Sequence, residues 1–231
     1  MSKKQNRFKM RKLFLIAFAA IFSAIITYFN ENSWQETTVN STIDKNVAIS
    51  NLDTLEVKGR SPKTNYERSQ FGNGWSTNDD GCDTRNKILK RDLSETTQND
   101  KCQILTGKLT DPYSSKEIIF SRANNSSAIQ IDHVVALSDA WQKGAQNLTS
   151  QQREAMANDD LELVAVSGTA NQQKSDGDAA TWLPANKAFR CQYVARQIAV
   201  KIKYSLWMTQ AERDAIARVL ETCPEQRLPV K

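Results

Sequence analysis

Apolar residues at helical spacing mark the C-terminal part of the chain. They recur every three or four positions through residues 185–205 and again through residues 210–222, which predicts two amphipathic helices. Thr209 and Glu212 form a capping-box pattern at the start of the second helix, and Pro224 follows its end. Because the linker between them is short, we expect the two helices to be antiparallel neighbours.

The middle of the chain carries strand-like patterns instead. Residues 104–109 and 117–122 are short apolar stretches on either side of the turn sequence Asp111-Pro112-Tyr113-Ser114, so they predict a β-hairpin. The β-branched run Ile129-Gln130-Ile131-Asp132-His133-Val134-Val135 predicts another strand. Residues 161–166 predict a further one.

Shorter helices are predicted between these strands. Ile88, Leu89 and Leu93 lie on one face of a short helix, a second begins near Ser138 as its N-cap, and a third begins near Ser150. Strands and helices in this mixture indicate an α+β fold.

The first 29 residues have the composition of an export signal. Residues 1–12 carry six basic side chains and no acid, and residues 13–29 are almost wholly apolar. An apolar stretch of this length is long for a signal peptide and short for a membrane span, and no good cleavage site follows it. We therefore expect either a secreted or periplasmic protein or one anchored by an uncleaved segment.

Polar residues dominate the next stretch. Residues 30–65 are rich in Ser, Thr, Asn and Asp, and we interpret them as a flexible tether in which residues 47–55 give the one hint of a strand. Residues 66–224 then form a single domain, and residues 225–231 a tail.

The charge balance argues against a strongly basic protein. The chain has 31 Lys and Arg against 26 Asp and Glu, but six of the basic residues lie within the first 12. The remainder has 25 against 26 and is close to neutral. Any contact with nucleic acid must therefore come from local basic patches.

Four cysteines lie in the domain, none in a Cys-x-x-Cys spacing, and in an exported chain they predict disulfides. Cys191 and Cys223 each lie about 20 Å from the turn of the predicted helix pair, at 1.5 Å per residue, and both face the shared seam. This geometry pairs Cys191 with Cys223 and leaves Cys82 with Cys102.

Candidate chemistry centres on Asp132-His133, which includes the only histidine of the chain. Histidine exchanges a proton near neutral pH, and an adjacent carboxylate can hold a metal ion. Together with Leu161-Glu162-Leu163-Val164 and Asn171-Gln172-Gln173-Lys174, the pair resembles the HNH, or ββα-metal, endonucleases.

Further motifs extend this resemblance over nearly the whole domain. They include Tyr66-x-Arg68, Cys82-Asp83-Thr84-Arg85-Asn86, Thr181-Trp182-Leu183-Pro184 and Cys191-x-Tyr193, in the same order and with similar spacing. This arrangement is similar to secreted HNH nuclease-like proteins related to the C-terminal domain of the GmrSD restriction enzymes.

The resemblance implies a fold and a set of roles. The fold would be a ββα-metal core with a flanking β-hairpin and a C-terminal antiparallel helix pair. His133 would be the general base on water, and Asp132 and Asn171 would hold one divalent ion. Oxygen ligands of this kind suit Mg²⁺ or Mn²⁺. Lys174 lies three residues after Asn171, on the same helix face, and is a candidate for phosphate contact.

One position departs from the family pattern. Glu162 occupies the place of the central Asn that usually orients the histidine loop. Asn158 is a candidate replacement, or the Glu162 carboxylate itself accepts a hydrogen bond from the loop or from His133.

Basic residues outside the motif are candidates for contact with nucleic acid: Arg85, Arg196 and Lys203, with Arg190 and Lys201 on the same predicted helix.

Two function classes therefore compete. The first is an exported, metal-dependent endonuclease whose substrate is DNA or, as the alternative, RNA. The second is a degenerate nuclease fold that binds nucleic acid or a protein partner without turnover. A signal-anchored structural protein leaves the Asp132, His133 and Asn171 set unexplained.

Overall fold

The computed structural model describes residues 47–77 and 80–229 of the chain. The predicted export signal and the first part of the predicted tether lie outside the described residues. Within the described residues, no helix is long and apolar enough to cross a membrane.

The described chain is a mixture of helices and strands. Its strands are β1 Ser94–Gln98, β2 Ile104–Thr110, β3 Glu117–Ser121, β4 Ile129–His133 and β5 Leu163–Ser167. Its α-helices are α1 Ala48–Leu52, α2 Thr84–Asp92, α3 Arg122–Asn125, α4 Leu137–Gln142, α5 Ser150–Ala157, α6 Gly168–Lys174, α7 Arg190–Lys203 and α8 Gln210–Leu220. Short 3₁₀ helices span Arg68–Phe71, Ala145–Asn147 and Lys187–Phe189.

Strands β1, β2 and β3 form an antiparallel sheet in that order, which confirms the predicted hairpin. The Asp111 carboxylate closes its turn and also accepts a hydrogen bond from the backbone N–H of Ser167 at 3.0 Å, so the hairpin is joined to β5. Ile88, Leu89 and Leu93 of the α2 region pack with Ile104 and Phe120 of the sheet in one apolar cluster. This sheet flanks the second one.

Strands β4 and β5 pair antiparallel, and His133 opposite Leu163 is the last pair of the ladder. Helix α6 begins directly after β5 and contacts both strands. Gly168 permits this close return, because a Cβ there would lie 2.4 Å from the backbone oxygen of Ser127. Two strands and one helix thus form a compact unit with the histidine at its edge.

Helices α7 and α8 form the predicted pair. The disulfide Cys191–Cys223 joins the start of α7 to the end of α8, with Cα atoms 6.4 Å apart, so the helices are antiparallel. Cys82–Cys102 is the second disulfide, and both pairings are the predicted ones. Thr209 caps α8 by accepting a hydrogen bond from the Glu212 N–H at 3.2 Å.

Residues 47–65 differ from the predicted tether and strand. Positions 48, 49, 52 and 55 are apolar at helical spacing, and the segment forms α1 instead of a strand. Ala48 and Leu52 are buried in the main core, and Val47 pairs with Arg227. The compact domain therefore extends beyond residues 66–224 at both ends.

The N-cap of α4 also differs from the prediction. Ala136 occupies the N-cap position, and Ser138 lies inside the helix, where its hydroxyl contacts Asp176 at 3.2 Å. The short hydroxyl side chain is used for a tertiary contact and not for capping.

A buried group of charges connects several of these elements. The Lys143 ammonium lies 2.8 Å from Asp139, 2.8 Å from Asp178 and 2.6 Å from Glu212, and all four side chains are at most 4% exposed. Lys201 lies 3.0 Å from Glu212, and Arg60 contacts Asp139 and Asp178. We call these six residues the charge cluster.

Lys143 is the centre of this cluster. Burial alone lowers the pKa of the Lys143 ammonium, but the carboxylates of Glu212 and Asp139 outweigh burial and raise it above its ordinary value. Lys143 is therefore charged in the folded protein. Buried carboxylates need such a positively charged partner, because an unpaired buried charge is destabilising.

We expect Lys143→Ala to lower the free energy of unfolding by about 3–5 kcal/mol, because it leaves buried carboxylates without their shared cation. Urea denaturation followed by circular dichroism measures the loss. Lys90→Ala removes an exposed lysine from α2 and serves as the matched control. Equal stability of the two variants would show that the cluster is not structural.

Candidate functional site

His133 ends β4 and is held on two sides. Its Nε2 lies 3.0 Å from the backbone oxygen of Ala157, and its ring is parallel to that of Trp75, with centroids 5.9 Å apart. A carbonyl oxygen only accepts, so Nε2 must donate. The neutral ring therefore carries its proton on Nε2 and its basic lone pair on Nδ1. Nδ1 is thus the nitrogen that can accept a proton.

The imidazole is neutral at physiological pH. Burial lowers the pKa of His133 to about 3; the hydrogen bond to Ala157 opposes this shift, and the positive charges of Arg68 and Lys174 add to it. The side chain is 6% exposed. A neutral imidazole is the form that accepts a proton, although its low pKa means that it accepts one only weakly.

Asp132 contacts different partners from its neighbour. Its Oδ2 accepts a hydrogen bond from the Tyr113 hydroxyl at 2.5 Å, and its Oδ1 lies 2.9 Å from the Lys174 ammonium. Burial raises the pKa of the Asp132 carboxyl above its usual value, and the charge of Lys174 acts against that rise. Tyr113 comes from the hairpin turn, so the turn helps to orient this carboxylate.

Lys174 does not reach out to a substrate phosphate. Its side chain is fully buried, and its ammonium binds the Asp132 carboxylate and, at 2.8 Å, the backbone oxygen of His133. The predicted contact of Lys174 with phosphate is therefore not available. The side chain instead joins the end of α6 to the end of β4. The reason is that the last turn of α6 packs directly on these strands.

Glu162 holds the loop after His133 and not the imidazole. Its backbone oxygen accepts from the Val134 N–H at 2.9 Å, and its carboxyl Oε2 accepts from the Val135 N–H at 3.3 Å. The side chain is fully buried, and burial raises the pKa of Glu162 well above its ordinary value. The carboxyl oxygen of Glu162 thus supplies the acceptor that the loop needs.

Asn158 acts on the other side of the histidine. Its Oδ1 accepts a hydrogen bond from the Ser76 N–H at 2.8 Å, and Ser76 follows the Trp75 that stacks on His133. Asn158 therefore positions the stacking residue, whereas the backbone of Ala157 orients the imidazole directly. The predicted orienting role is divided between a side chain and a main chain.

A cleft of about 400 Å³ brings the predicted residues together. Asp132, His133 and Asn171 line it, together with Arg68 and Gln130. A smaller space of about 160 Å³ adjoins it, and Arg68 and His133 line both. The imidazole thus lies between a polar chamber and an apolar one that contains Trp75.

Two of the predicted residues form the polar wall. Asn171 donates from Nδ2 to Gln130 Oε1 at 2.8 Å, which leaves its Oδ1 without a partner among the described residues. The Asp132 carboxylate has four lone pairs, and Tyr113, Lys174 and the His133 backbone N–H use three of them, so one remains. Within residues 47–77 and 80–229, no group of three or more His, Cys, Asp or Glu side chains is placed to bind a metal. The oxygen atoms of Asp132 and Asn171 are of the type that a hard cation takes as ligands alongside water.

Arg68 is the main residue that sequence reasoning did not assign. It lies exposed at the cleft, and it has no hydrogen bond or ion pair to any residue that the structure describes. The buried Phe71 and the bond from Arg153 Nε to the Gln70 oxygen at 2.8 Å fix the 3₁₀ helix that carries it. Its motif, Tyr66-x-Arg68, was visible, but no local signal indicated its distance from His133.

The predicted nucleic-acid contacts divide into different classes. Arg85 donates to the backbone oxygens of Ser126 and Ile129, so its guanidinium has a structural role. Lys203 pairs with Asp159 at 2.5 Å. Neither Arg196 nor Lys203 lines the cleft around His133; both line a separate pocket.

Comparison with known proteins places this chain in a family. Residues 83–219, more than half of the chain, match the family described as "GmrSD restriction endonucleases, C-terminal domain". A protein of Arthroderma benhamiae named "Uncharacterized secreted protein" is 35% identical over 178 residues, which cover 76% of this chain and 84% of that protein. No solved structure matches the chain significantly.

We expect Glu162→Gln to stabilise the protein at neutral pH and to be nearly neutral near pH 4. The raised pKa of Glu162 means that unfolding releases a proton, so wild-type stability falls as pH rises above the unfolded pKa. Gln keeps the acceptor for Val135 and does not ionise. The gap should widen by up to about 1.4 kcal/mol per pH unit.

Urea denaturation at several pH values measures this gap. Glu225→Gln, at an exposed glutamate, is the control and should show no such trend. A constant loss of stability in Glu162→Gln at every pH would contradict a neutral buried carboxyl group.

Proposed function

The chain belongs to the family of the C-terminal domain of GmrSD restriction endonucleases, and from that membership we propose that it is an exported endonuclease. Its substrate is nucleic acid, DNA before RNA, and it hydrolyses phosphodiester bonds. The observation that carries this proposal is the Nδ1 of a neutral His133, which no described residue hydrogen-bonds, in one cleft with Asp132 and Asn171.

The unit of β4, β5 and α6 is then a ββα-metal core of the HNH type. Three features support this: the Asp-His pair ends the first strand, the second strand pairs antiparallel with it, and the following helix carries Asn171. The disulfide-bonded helix pair and the hairpin flank this core as the resemblance implies.

His133 acts as the general base. Its Nδ1 takes a proton from water as the water oxygen attacks phosphorus, and the bond from phosphorus to the leaving oxygen breaks. The Ala157 carbonyl, which accepts from Nε2, stabilises the imidazolium that forms. The negative charge of a phosphate bound beside the ring also raises the proton affinity of the imidazole.

Asp132 and Asn171 are the proposed ligands of one Mg²⁺ or Mn²⁺ ion. Such an ion, when bound, neutralises phosphate charge and stabilises the leaving oxygen. Tyr113 and Lys174 hold the Asp132 carboxylate in place, while Gln130 holds the amide of Asn171 so that its oxygen is free. These contacts fix both candidate ligands before substrate arrives.

Arg68 supplies the phosphate contact that Lys174 cannot make. It is exposed, lies in the same cleft as His133 and has no competing partner within the described residues. A guanidinium binds two phosphate oxygens at once, which positions the phosphorus relative to the base.

Export follows from the N-terminal pattern and from the named relative. A basic segment followed by an apolar one is typical of exported chains, and the Arthroderma benhamiae protein is named as secreted. Two disulfides in the domain are consistent with an oxidising compartment.

One observation favours a second candidate, a degenerate domain that binds nucleic acid without cutting it. Both oxygens of Asp132 already have protein partners, and the Lys174 ammonium compensates the charge that a metal ion would need. In this case the cleft would bind phosphate through Arg68 but would not activate water.

We expect the purified, oxidised protein to nick supercoiled plasmid in Mg²⁺ or Mn²⁺ and to stop in EDTA. His133→Ala should lower the rate at least about 100-fold, because it removes the general base. Gel analysis of plasmid forms measures the rate, with circular dichroism to show that the variant is folded. Nicking that survives in His133→Ala would point to a different base, and a folded but inactive wild type would favour the degenerate domain.

Arg68→Ala should lower kcat/KM for plasmid about 10- to 100-fold, because one charge-assisted contact to the phosphate is lost. Arg218→Ala removes an exposed arginine from α8 and leaves the cleft intact, so it matches the change in net charge. Equal rates for the two variants would rule out the proposed phosphate contact.

A further inference from the structure

A second pocket, of about 760 Å³, lies beside the end of α5 and is separate from the cleft around His133. Four cations line it, Lys87, Arg91, Arg196 and Lys203, together with the acids Asp159 and Asp160. The pocket is therefore basic in a chain whose exported part is nearly neutral.

Three of the four cations have an acidic partner. Lys87 lies 2.8 Å from Asp160, Lys203 lies 2.5 Å from Asp159, and Arg91 lies 2.6 Å from Asp92. Arg196 has neither a hydrogen bond nor an ion pair with any residue in 47–77 or 80–229. Among the described residues, Arg196 is thus the one cation of the pocket without a direct acidic partner, and it feels the Asp92 carboxylate only at longer range.

That charge is partly buried. Arg196 projects from α7 into a region where burial and the nearby Arg91 both lower the pKa of its guanidinium. Removing a charge from water without a partner is costly, and placing it near a like charge adds to the cost. An anion in the pocket would remove both penalties.

We propose that this pocket binds one backbone phosphodiester of the nucleic-acid strand, away from the bond that is cut, with Arg196 as its principal ligand. The nature of the strand rests on the proposed function. A phosphodiester carries a single negative charge, which suits one guanidinium that has no ion pair among the described residues, and its two free oxygens match the two N–H groups that a guanidinium presents side by side.

The position of the pocket fits a strand that also enters the cleft. Asn158 lines the pocket, and the residue before it, Ala157, holds His133 through its backbone oxygen. The end of α5 thus separates the two sites by one residue of chain. A strand bound in the cleft at His133 and passing this helix end would also reach the pocket that Arg196 lines.

The space beyond Arg196 accommodates more of the same ligand. A further pocket of about 480 Å³ shares Arg196 and is also lined by Phe189, Gln192 and Pro229. Arg227 lines this pocket as well, and the mixture of apolar, amide and cationic groups suits a nucleotide attached to the phosphate, whereas a small inorganic anion would not fill it.

The test is equilibrium binding of a fluorescently labelled DNA strand to the full protein in EDTA, followed by anisotropy over a range of salt concentrations. Arg196→Gln should weaken binding about tenfold and reduce the slope of log K against log salt by about 0.7–0.9, the value for one lost phosphate contact. Arg196→Lys should keep the slope and lose only part of the affinity. Arg218→Ala should match wild type.

The outcomes separate this proposal from the nuclease proposal, since binding is measured without cleavage. Unchanged affinity and slope in a folded Arg196→Gln would overturn the phosphate site even if the protein cuts plasmid. A loss in Arg196→Gln that Arg196→Lys restores would establish the site even if the protein proves inactive. A loss of the same size in Arg218→Ala would mean that only net charge matters, and would also overturn it.

Discussion

The contact on which the rest of the structure depends is the Lys143 ammonium among three buried carboxylates. Asp139 comes from α4, which ends directly before Lys143. Asp178 comes from the segment after α6 and Glu212 from α8, so the Lys143 side chain joins parts of the chain up to 69 residues apart. Arg60 and Lys201 add the N-terminal segment and α7. Because α4 begins four residues after His133, this cluster fixes the scaffold behind the candidate site. The cluster also makes the fold depend on every one of these segments. If one partner is missing, a buried charge is left unpaired in a low-dielectric environment, which is destabilising.

Local patterns in the sequence predicted most of the helices and strands, and the family resemblance selected Asp132, His133 and Asn171, which line one cleft. Neither predicted Arg68 in that cleft or the contacts between the elements. The Asp111–Ser114 turn, the strand with the Asp-His pair and the helices around Cys191 and Cys223 each have patterns that their own residues decide. Lys174 shows the limit. Its i+3 spacing from Asn171 placed it correctly on α6, yet its contacts with Asp132 and the His133 backbone come from another element. The prediction of a strand at residues 47–55 was wrong for a related reason. The helical pattern of apolar residues there is short, and the residues that it packs against lie in α7 and α8.

The departure at Glu162 shows which property of that position matters. The loop after His133 needs an oxygen that accepts from a buried backbone N–H, and either an amide or a carboxylic acid offers one. Burial raises the pKa of Glu162 well above its ordinary value, which favours the uncharged acid next to the imidazole. Glu in place of Asn is therefore compatible with the site, and the orientation of His133 passes to the Ala157 carbonyl and the Trp75 ring.

The Lys174–Asp132 pair has a consequence for how the proposed site would fill. The ammonium lies on Oδ1 and cancels the formal charge of the carboxylate, so Asp132 and Asn171 together offer a divalent cation two oxygens but almost no net charge. Hard cations held by so few protein ligands depend on water and on substrate phosphate for the rest of their shell. A phosphate in the cleft would supply both an oxygen and a negative charge, and Arg68, which lines the same cleft, would attract that phosphate. Cation and nucleic acid would then each raise the affinity for the other by the same factor, as linkage requires. Such a site would have little cation bound in the absence of substrate and would assemble fully only around a phosphodiester.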